Sequence, residues 1–165
     1  RQAERSQEAL LSDEIDLAFA NGNYSRVLEL IPEQGNYPFD KAMLRNWSLY
    51  RTARFAEAKA GFTSALIDSP EQPEAILGAA YSSMQLEDLI SAEQLFTRAI
   101  QLSPTNSDAW AGLGLIHFRL NNFPKARSDL LRAVELNPQN AEALDVLKKI
   151  DQGSSSLDYN PIKGF

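Results

Sequence analysis

The sequence predicts an all-α chain of consecutive helical hairpins, and two observations carry this prediction. One stretch occurs three times in nearly the same form, as AKAGFTSALIDSP, AEQLFTRAIQLSP and ARSDLLRAVELNP. Corresponding positions lie 34 residues apart, which is enough chain for two short helices and the turns that join them. Within each stretch, small and large apolar residues are separated by three or four positions, the spacing of one helix face.

Each of the three stretches is predicted to be the second helix of a hairpin. It begins at an alanine, has a large residue four positions on and another alanine seven positions on, and closes at a proline. These positions are Ala58, Phe62, Ala65 and Pro70; Ala92, Phe96, Ala99 and Pro104; and Ala126, Leu130, Ala133 and Pro138. Small alanines allow antiparallel helices to approach closely, while the large residue fills the space beside them. The proline ends the helix because it disfavours the α conformation of the residue before it.

The first helix of a hairpin is clearest in the segment SDAWAGLGLIHFRL, which begins at Ser107. Four of its residues are spaced so that they share one helix face: Trp110, Leu113, Gly114 and His117. The asparagines that follow, Asn121 and Asn122, are typical of a tight turn. The segment from Ser107 to Pro138 is therefore predicted to be one complete helical hairpin.

This hairpin resembles the tetratricopeptide repeat (TPR), a helix–turn–helix unit of about 34 residues. The resemblance rests on Trp110, Leu113, Gly114, Ala126, Ala133 and Pro138. It implies a right-handed superhelix of antiparallel helix hairpins, a TPR α-solenoid, over residues 1–150. We expect four repeats at approximately 8–38, 39–72, 73–106 and 107–140, followed by a capping helix at 141–150.

The earlier repeats depart from the family pattern. The first helix of the third repeat carries Ile76, Ala79, Ala80 and Ser83 at the pattern positions, and that of the second carries Ala42, Arg45, Asn46 and Leu49. The first repeat is degenerate, because Tyr24 stands where the last repeat has Phe123 and the usual closing proline is replaced by Gln34, Gly35 and Asn36. We expect its second helix to be shortened.

The carboxyl-terminal part is predicted to be a capping helix followed by a tail. In AEALDVLKKI, Leu144 and Leu147 stand at the inward positions, where they would cover the last hairpin. From residue 151 the composition changes to a flexible linker and an irregular tail. The alternative is that the apolar tail residues bind the groove of this chain or of a neighbouring one. Those residues are Leu157, Tyr159, Ile162 and Phe165.

Composition excludes several classes of partner. The net charge of -6 and the absence of Lys and Arg clusters argue against a nucleic-acid partner or an anionic membrane surface. No apolar run reaches the length of a membrane span, so we expect no direct membrane insertion of this fragment. The lack of cysteine excludes disulfides and is compatible with either a bacterial cytoplasm or a periplasm. Because the chain begins at Arg1, we expect a fragment or a processed product.

The sequence predicts no catalytic residue, metal site or cofactor. His117 is the only histidine and is predicted to pack against a neighbouring helix. Gly112 and Gly114 lie inside a helical pattern rather than in a phosphate-binding loop, and are predicted to permit close helix contact. The acidic cluster Asp13, Glu14 and Asp16 lacks the alternating ligands and the glycine of a calcium loop.

The TPR resemblance implies that the first helices line a concave groove. Carried over position by position, the implied groove residues are Phe19, Met43, Trp47, Tyr50, Arg51, Leu77, Tyr81, Met84, Leu115, Phe118 and Arg119. Six of them would form a continuous apolar lining, with acids such as Glu74 at one edge: Trp47, Tyr50, Tyr81, Met84, Leu115 and Phe118. Aromatic, Met and Arg side chains are enriched at binding hot spots. The alternative is that these rings fill space between adjacent first helices.

The resemblance therefore implies a non-catalytic adaptor or assembly scaffold that binds an apolar-anchored peptide or helix of a partner protein. Some TPR domains hold the C-terminal carboxylate of a chaperone with Lys and Asn side chains at set groove positions. Those positions here include Met43, Leu77 and Ala111, so we do not expect this specificity. The alternative function is a structural spacer or self-associating scaffold within a larger complex.

Overall fold

The computed structural model describes residues 2–35 and 37–153. Over these ranges the chain is all-α and contains no strand, which confirms the predicted fold class. The helices are α1 (Gln2–Ala20), α2 (Tyr24–Leu30), α3 (Phe39–Arg51), α4 (Phe55–Asp68), α5 (Pro73–Gln85), α6 (Leu89–Leu102), α7 (Ser107–Arg119), α8 (Phe123–Leu136) and α9 (Ala141–Asp151). Along the described residues, no helix combines the length and apolar character needed to span a bilayer. From residue 154 onward, the predicted tail lies outside the described residues.

The helices belong to two compact units, whose boundary lies between Leu86 and Glu87. In the first unit, α3 packs on α4 and α4 packs on α5; in the second, α7 packs on α8 and α9 packs on both. Only three residues connect α1 to α2, α3 to α4 and α7 to α8. Because such short links return the chain alongside itself, the two helices of each hairpin are antiparallel neighbours.

The turn inside a hairpin has a recurring backbone conformation. Its central residue is left-handed, with φ of 71°, 60° and 56° at Gly22, Ala53 and Asn121. In the last hairpin, Asn121 N–H donates to the carbonyl of Phe118 at 2.9 Å and Asn122 N–H donates to the carbonyl of His117 at 2.8 Å. This pair of bonds satisfies carbonyls that the end of a helix leaves unpaired. The chain can therefore reverse direction within three residues.

The second helix of the first hairpin is short, as predicted. α2 has 7 residues, whereas α4, α6 and α8 have 14 each. Pro32 follows the last cap residue, Ile31, and disfavours its α conformation; the φ and ψ of Ile31 are -119° and 78°. The link from α2 to α3 therefore takes eight residues, where the later repeats use four.

Two glycines allow close contact between helices of consecutive hairpins. A Cβ atom at Gly78 of α5 would overlap the ring of Phe62 from α4, and one at Gly112 of α7 would overlap the ring of Phe96 from α6. Both rings are 0% exposed, so they have no space into which they could retreat. Gly112 of the GLGL segment thus serves helix packing, which confirms that interpretation of the sequence.

Helix α9 packs against the last hairpin through one face. Its amino end is capped by the side chain of Asn140, which accepts a hydrogen bond from Ala143 N–H at 3.0 Å. Ala143 and Val146 are fully buried and Leu147 nearly so. Leu144 is 44% exposed, and the prediction that it points inward is wrong. The inward stripe is shifted by one residue because Ala143, and not Leu144, shares a helix face with Val146 and Leu147.

Candidate protein-interaction site

The predicted groove residues differ widely in burial. Six of the eleven are buried: Met43, Tyr50, Tyr81, Met84, Leu115 and Phe118. Five remain at least partly accessible: Phe19, Trp47, Arg51, Leu77 and Arg119. Of the six apolar side chains expected to form a continuous lining, only Trp47 is not buried, and the other five are buried.

In the first unit, Trp47 of α3 lies at the centre of an aromatic cluster. Its ring meets the ring of Phe62 edge-on at a centroid distance of 5.0 Å and that of Tyr50 at 5.7 Å. Its indole N–H donates to a carboxylate oxygen of Glu74 on α5 at 3.0 Å. The indole is therefore fixed in orientation while part of it stays accessible.

A second polar contact joins α3 to α5. The side-chain amide of Gln85 donates to the hydroxyl of Tyr50 at 3.1 Å. The Tyr50 ring meets Phe55 of α4 edge-on at 5.3 Å, so three helices hold it in place. Tyr50 is 7% exposed, so it packs beneath the surface and offers little area of its own to a partner.

Four of the accessible residues of α3 and α5 define a surface that we call the α3–α5 face: Trp47, Arg51, Glu74 and Leu77. Trp47 and Arg51 are four residues apart on α3, and Glu74 and Leu77 are three apart on α5, so each pair shares a helix face. The bond between Trp47 and Glu74 brings the two pairs together. The Arg51 guanidinium also lies 5.8 Å from the centroid of the Tyr24 ring. The Tyr24 ring also meets the ring of Phe19, the remaining predicted groove residue of this unit, at a centroid distance of 5.5 Å.

In the second unit, the predicted groove residues of α7 are mostly internal. Leu115 and Phe118 are 0% exposed, and the Phe118 ring lies 5.7 Å from that of Phe123 on α8. Arg119 is partly accessible, unlike Leu115 and Phe118. Its guanidinium forms an ion pair with a carboxylate oxygen of Glu87 at 3.2 Å. Among the predicted groove residues of α7, the one that stays partly accessible is therefore the charged Arg119.

His117 is held between two carboxylates of adjacent helices. Its Nδ1 lies 2.6 Å from an oxygen of Asp129 on α8, and its Nε2 lies 3.5 Å from an oxygen of Glu93 on α6. Burial raises the pKa of Asp129 above its ordinary value, although the hydrogen bond to His117 and the charge of Lys125 oppose this shift. The contacts of His117 join three helices, in agreement with the packing role that the sequence predicted.

Two members of the acidic cluster of α1, Glu14 and Asp16, form ion pairs. Glu14 accepts hydrogen bonds from the guanidinium of Arg26 at 2.7 and 3.1 Å, and Asp16 pairs with Lys41 at 2.5 Å. These contacts hold α1 against α2 and α3. Across residues 2–35 and 37–153, no three His, Asp or Glu side chains are grouped so that they could hold a metal ion.

Two family profiles, both described as tetratricopeptide repeat, match residues 47–107 and 83–150, and together they span more than half of the chain. The chain belongs to the tetratricopeptide-repeat family. The hairpin with a left-handed turn and the glycine–phenylalanine contact are thus features of a TPR array in this chain. A comparison with curated proteins finds no match.

Solved TPR structures resemble this chain. The first TPR domain of Spaghetti (RPAP3), bound to the HSP90 peptide SRMEEVD, is 25% identical with a TM-score of 0.63, over 68% of this chain and 89% of that chain. The first TPR domain of human RPAP3 is also 25% identical, with a TM-score of 0.64 over 72% of this chain and 94% of that one. A mutant of MamA is 16% identical, with a TM-score of 0.68 over 96% of this chain and 95% of that one. The shared fold thus extends over nearly the whole chain.

Sequence reasoning missed the polar links that organise the α3–α5 face. The sequence prediction places Glu74 only at an edge of the expected groove, whereas this residue binds the indole of Trp47. The available signal was that Trp47 and Glu74 lie on successive first helices, so that a partly buried tryptophan N–H would find a carboxylate nearby.

Proposed function

We propose that this TPR chain is a non-catalytic protein-interaction module, acting as an adaptor or assembly scaffold. It binds an apolar-anchored peptide or helix of a partner protein in the groove lined by its first helices. The observation that carries the proposal is the family membership, together with the 25% identity to a TPR domain whose structure contains a bound peptide. The burial of most predicted groove residues limits the contact surface to their accessible neighbours.

In the first unit, we assign the contact to the α3–α5 face. Trp47 and Leu77 are its apolar members and supply area for an anchor side chain, while Arg51 and Glu74 lie beside them and select for polar groups of the partner. An aromatic ring that is already fixed loses little conformational freedom on binding. The hydrogen bond from Trp47 to Glu74 provides this fixation.

The experiment selects binders from a library of displayed peptides of about 12 residues, enough for three helical turns. Fluorescence anisotropy then measures the affinity of the selected peptide. Leu77→Glu places a charge among the apolar members of the face and is expected to weaken binding by at least about tenfold, or about 1.4 kcal/mol. The matched control is Ile67→Glu on α4, at a large apolar residue that is 77% exposed. Circular dichroism checks that both variants keep their helicity.

Equal affinity of the wild type and Leu77→Glu would rule out the α3–α5 face as the binding surface. An equal loss in both variants would show that charge alone, and not position, governs binding. Only a loss confined to Leu77→Glu supports the assignment.

A second candidate function is a self-associating scaffold, and the exposed face of α1 favours it. Leu10 and Leu17 are 69% and 62% exposed and lie seven residues apart on one side of the helix. If this stripe joins copies of the chain, sedimentation velocity shows association that rises with concentration and is lost in Leu10→Glu/Leu17→Glu. A monomer at every concentration contradicts this candidate and leaves the peptide-binding proposal unaffected.

A further inference from the structure

Helix α1 can be compared residue by residue with the later first helices, because their turns have the same geometry. Gly22 N–H donates to the carbonyl of Phe19 at 2.9 Å, as Asn121 N–H does to that of Phe118 at the same distance. Counting back from the left-handed residue of each turn gives every residue of α1 an equivalent in α3, α5 and α7. The equivalents are Lys41, Ala75 and Ala109 for Leu10; Leu44, Gly78 and Gly112 for Asp13; and Ser48, Ser82 and Ile116 for Leu17.

In the later first helices, these positions face the second helix of the preceding hairpin. Gly78 of α5 lies against the ring of Phe62 on α4, and Gly112 of α7 lies against that of Phe96 on α6. The other two positions come three residues before the glycine and four residues after it, so they share its helix face. All six residues at these two positions are buried: Lys41, Ser48, Ala75, Ser82, Ala109 and Ile116.

The same face of α1 is uncovered within the described part of the chain. We call it the α1 face and define it as Leu10, Asp13 and Leu17. The two leucines are 69% and 62% exposed, and Asp13 between them is exposed as well. Among residues 2–35 and 37–153, the carboxylate of Asp13 has no hydrogen-bond or ion-pair partner. The α1 face therefore presents apolar area and one unpaired negative charge where the later helices are packed.

We propose that the α1 face binds one helix of a partner protein, packed as α4 packs on α5 and α6 packs on α7. The partner helix carries a lysine or an arginine at the position where α4 and α6 carry Phe62 and Phe96. The later repeats indicate the shape of the occupant, because a second helix covers this face in each of them. Asp13 indicates its charge.

The residue at the glycine position determines which side chain fits opposite. Gly78 and Gly112 leave room for a phenylalanine ring, whereas Asp13 fills that room with a carboxylate. A ring placed on this carboxylate would remove its water without replacing the hydrogen bonds, which is costly. A lysine or arginine instead lays its aliphatic stem along Leu10 and Leu17 and pairs its charge with Asp13.

A second copy of this chain fits the α1 face less well than a basic helix does. In a two-fold contact between two α1 helices, Asp13 lies near the middle of the face and would approach Asp13 of the other copy. Like charges repel, and the repulsion grows as water is excluded. The chain's own helices α4, α6 and α8 carry Phe62, Phe96 and Leu130 at the position that needs the cation. The complement is therefore expected from a different protein.

The test uses a helical peptide with the sequence of α6, Leu89–Leu102, and the substitution Phe96→Lys. Because 14 residues are only marginally helical in water, Thr97→Lys and Gln101→Asp are joined as a lactam on the side that is exposed in the chain. The comparison peptide has the same lactam and keeps Phe96. Fluorescence anisotropy measures the Kd of each labelled peptide for the full chain.

We expect the Phe96→Lys peptide to bind the wild-type chain at least about tenfold more tightly than the comparison peptide. In the Asp13→Asn chain, this preference falls below about twofold, because the substitution removes the charge and keeps the shape. The matched control is Asp68→Asn, which removes an exposed carboxylate from α4 and leaves the preference unchanged. Leu10→Ala/Leu17→Ala weakens the binding of both peptides, and circular dichroism checks the helicity of every variant.

Three binding results overturn the proposal: no saturable binding of the Phe96→Lys peptide, equal affinity of the two peptides for the wild type, and a preference that survives Asp13→Asn. Sedimentation velocity provides a fourth. If the chain self-associates and the Phe96→Lys peptide does not disperse it, a second copy occupies the α1 face, so this proposal fails while self-association stands. Leu77→Glu leaves the α1 face intact and Asp13→Asn leaves the α3–α5 face intact, so this proposal and the peptide-binding proposal can fail separately.

Discussion

At the scale of single residues, the left-handed turns show where this sequence carries strain. Ala53 has φ of 60°, and a residue with a Cβ loses about 1–2 kcal/mol in that conformation. The equivalent turn of the first hairpin has Gly22, which adopts the conformation without this cost. Replacing Ala53 of the second hairpin with glycine is therefore expected to relieve backbone strain and to stabilise the fold.

We predict that Ala53→Gly raises the free energy of unfolding by about 0.5–1 kcal/mol, the strain relieved less the entropy that glycine adds to the unfolded chain. Urea denaturation measures the change. Ala60→Gly, at an exposed site inside α4, is the matched control and is expected to lower stability by about the same amount. A loss of stability in both variants would contradict the strain argument.

A pH dependence follows from Asp129. Because burial raises its pKa in the folded state, the folded chain binds more protons than the unfolded chain as the pH rises above the unfolded value of 3.8. Its stabilising contribution is thus present below that value and is lost as the pH rises through the folded pKa. We predict that Asp129→Asn gains stability relative to the wild type as the pH rises from below 3.8, the unfolded value, through the folded pKa of Asp129.

Urea midpoints of the two proteins, measured across this range, test the prediction about Asp129. A difference that stays constant, or one that favours the wild type increasingly as the pH rises, would show that the hydrogen bond to His117 outweighs burial.

At the scale of helices, the glycine–phenylalanine contacts determine how closely consecutive hairpins pack. We predict that Gly112→Ala lowers the free energy of unfolding by about 1–3 kcal/mol, the usual cost of overpacking, because Phe96 is fully buried and cannot move aside. Ser128→Ala on the exposed side of α8 is expected to change stability by less than about 0.5 kcal/mol. Thermal and urea denaturation both measure these changes, and an unaltered Gly112→Ala protein would mean that the hairpins adjust their spacing freely.

The helices could be predicted from the sequence because their packing residues are periodic. Ala92, Phe96 and Ala99 recur at helix spacing and are all buried on α6, as the pattern required. The burial of the predicted groove residues could not be predicted in this way. Met84 and Leu77 share a face of α5 with a spacing of seven residues, yet Met84 is fully buried and Leu77 is partly accessible. Periodicity identifies a face, whereas burial depends on how near the next helix lies.

The close contact between Asn46 and Gly61 was equally beyond the sequence pattern. Asn46 and Arg45 stand out as departures from the TPR signature, but the effect of Asn46 depends on Gly61, fifteen residues further along the chain. Only the hairpin geometry brings these positions together. A search for compensating substitutions across facing helix positions would detect the pair.

At the scale of the whole molecule, the composition of the proposed groove predicts which peptides the chain does not bind. A C-terminal carboxylate requires donors, preferably cationic ones, and the positions that would supply them include Met43, Leu77 and Ala111. We predict that the peptide SRMEEVD, which is bound in the structure of the Spaghetti domain, binds this chain with a Kd above about 1 mM. Isothermal titration measures it, with the Spaghetti domain as the positive control. Micromolar binding would show that other cations replace the missing ones.

The short α2 also has a consequence for the order in which the chain opens. Seven residues lie well below the length at which an isolated helix persists in water, so this element depends on its contacts with α1 and α3 for its existence. Deuterium uptake at the amides of α2 should accordingly outpace that of α4, and a protease should make its earliest cut beside Pro32. The amino-terminal hairpin would then fray while its neighbours stay closed.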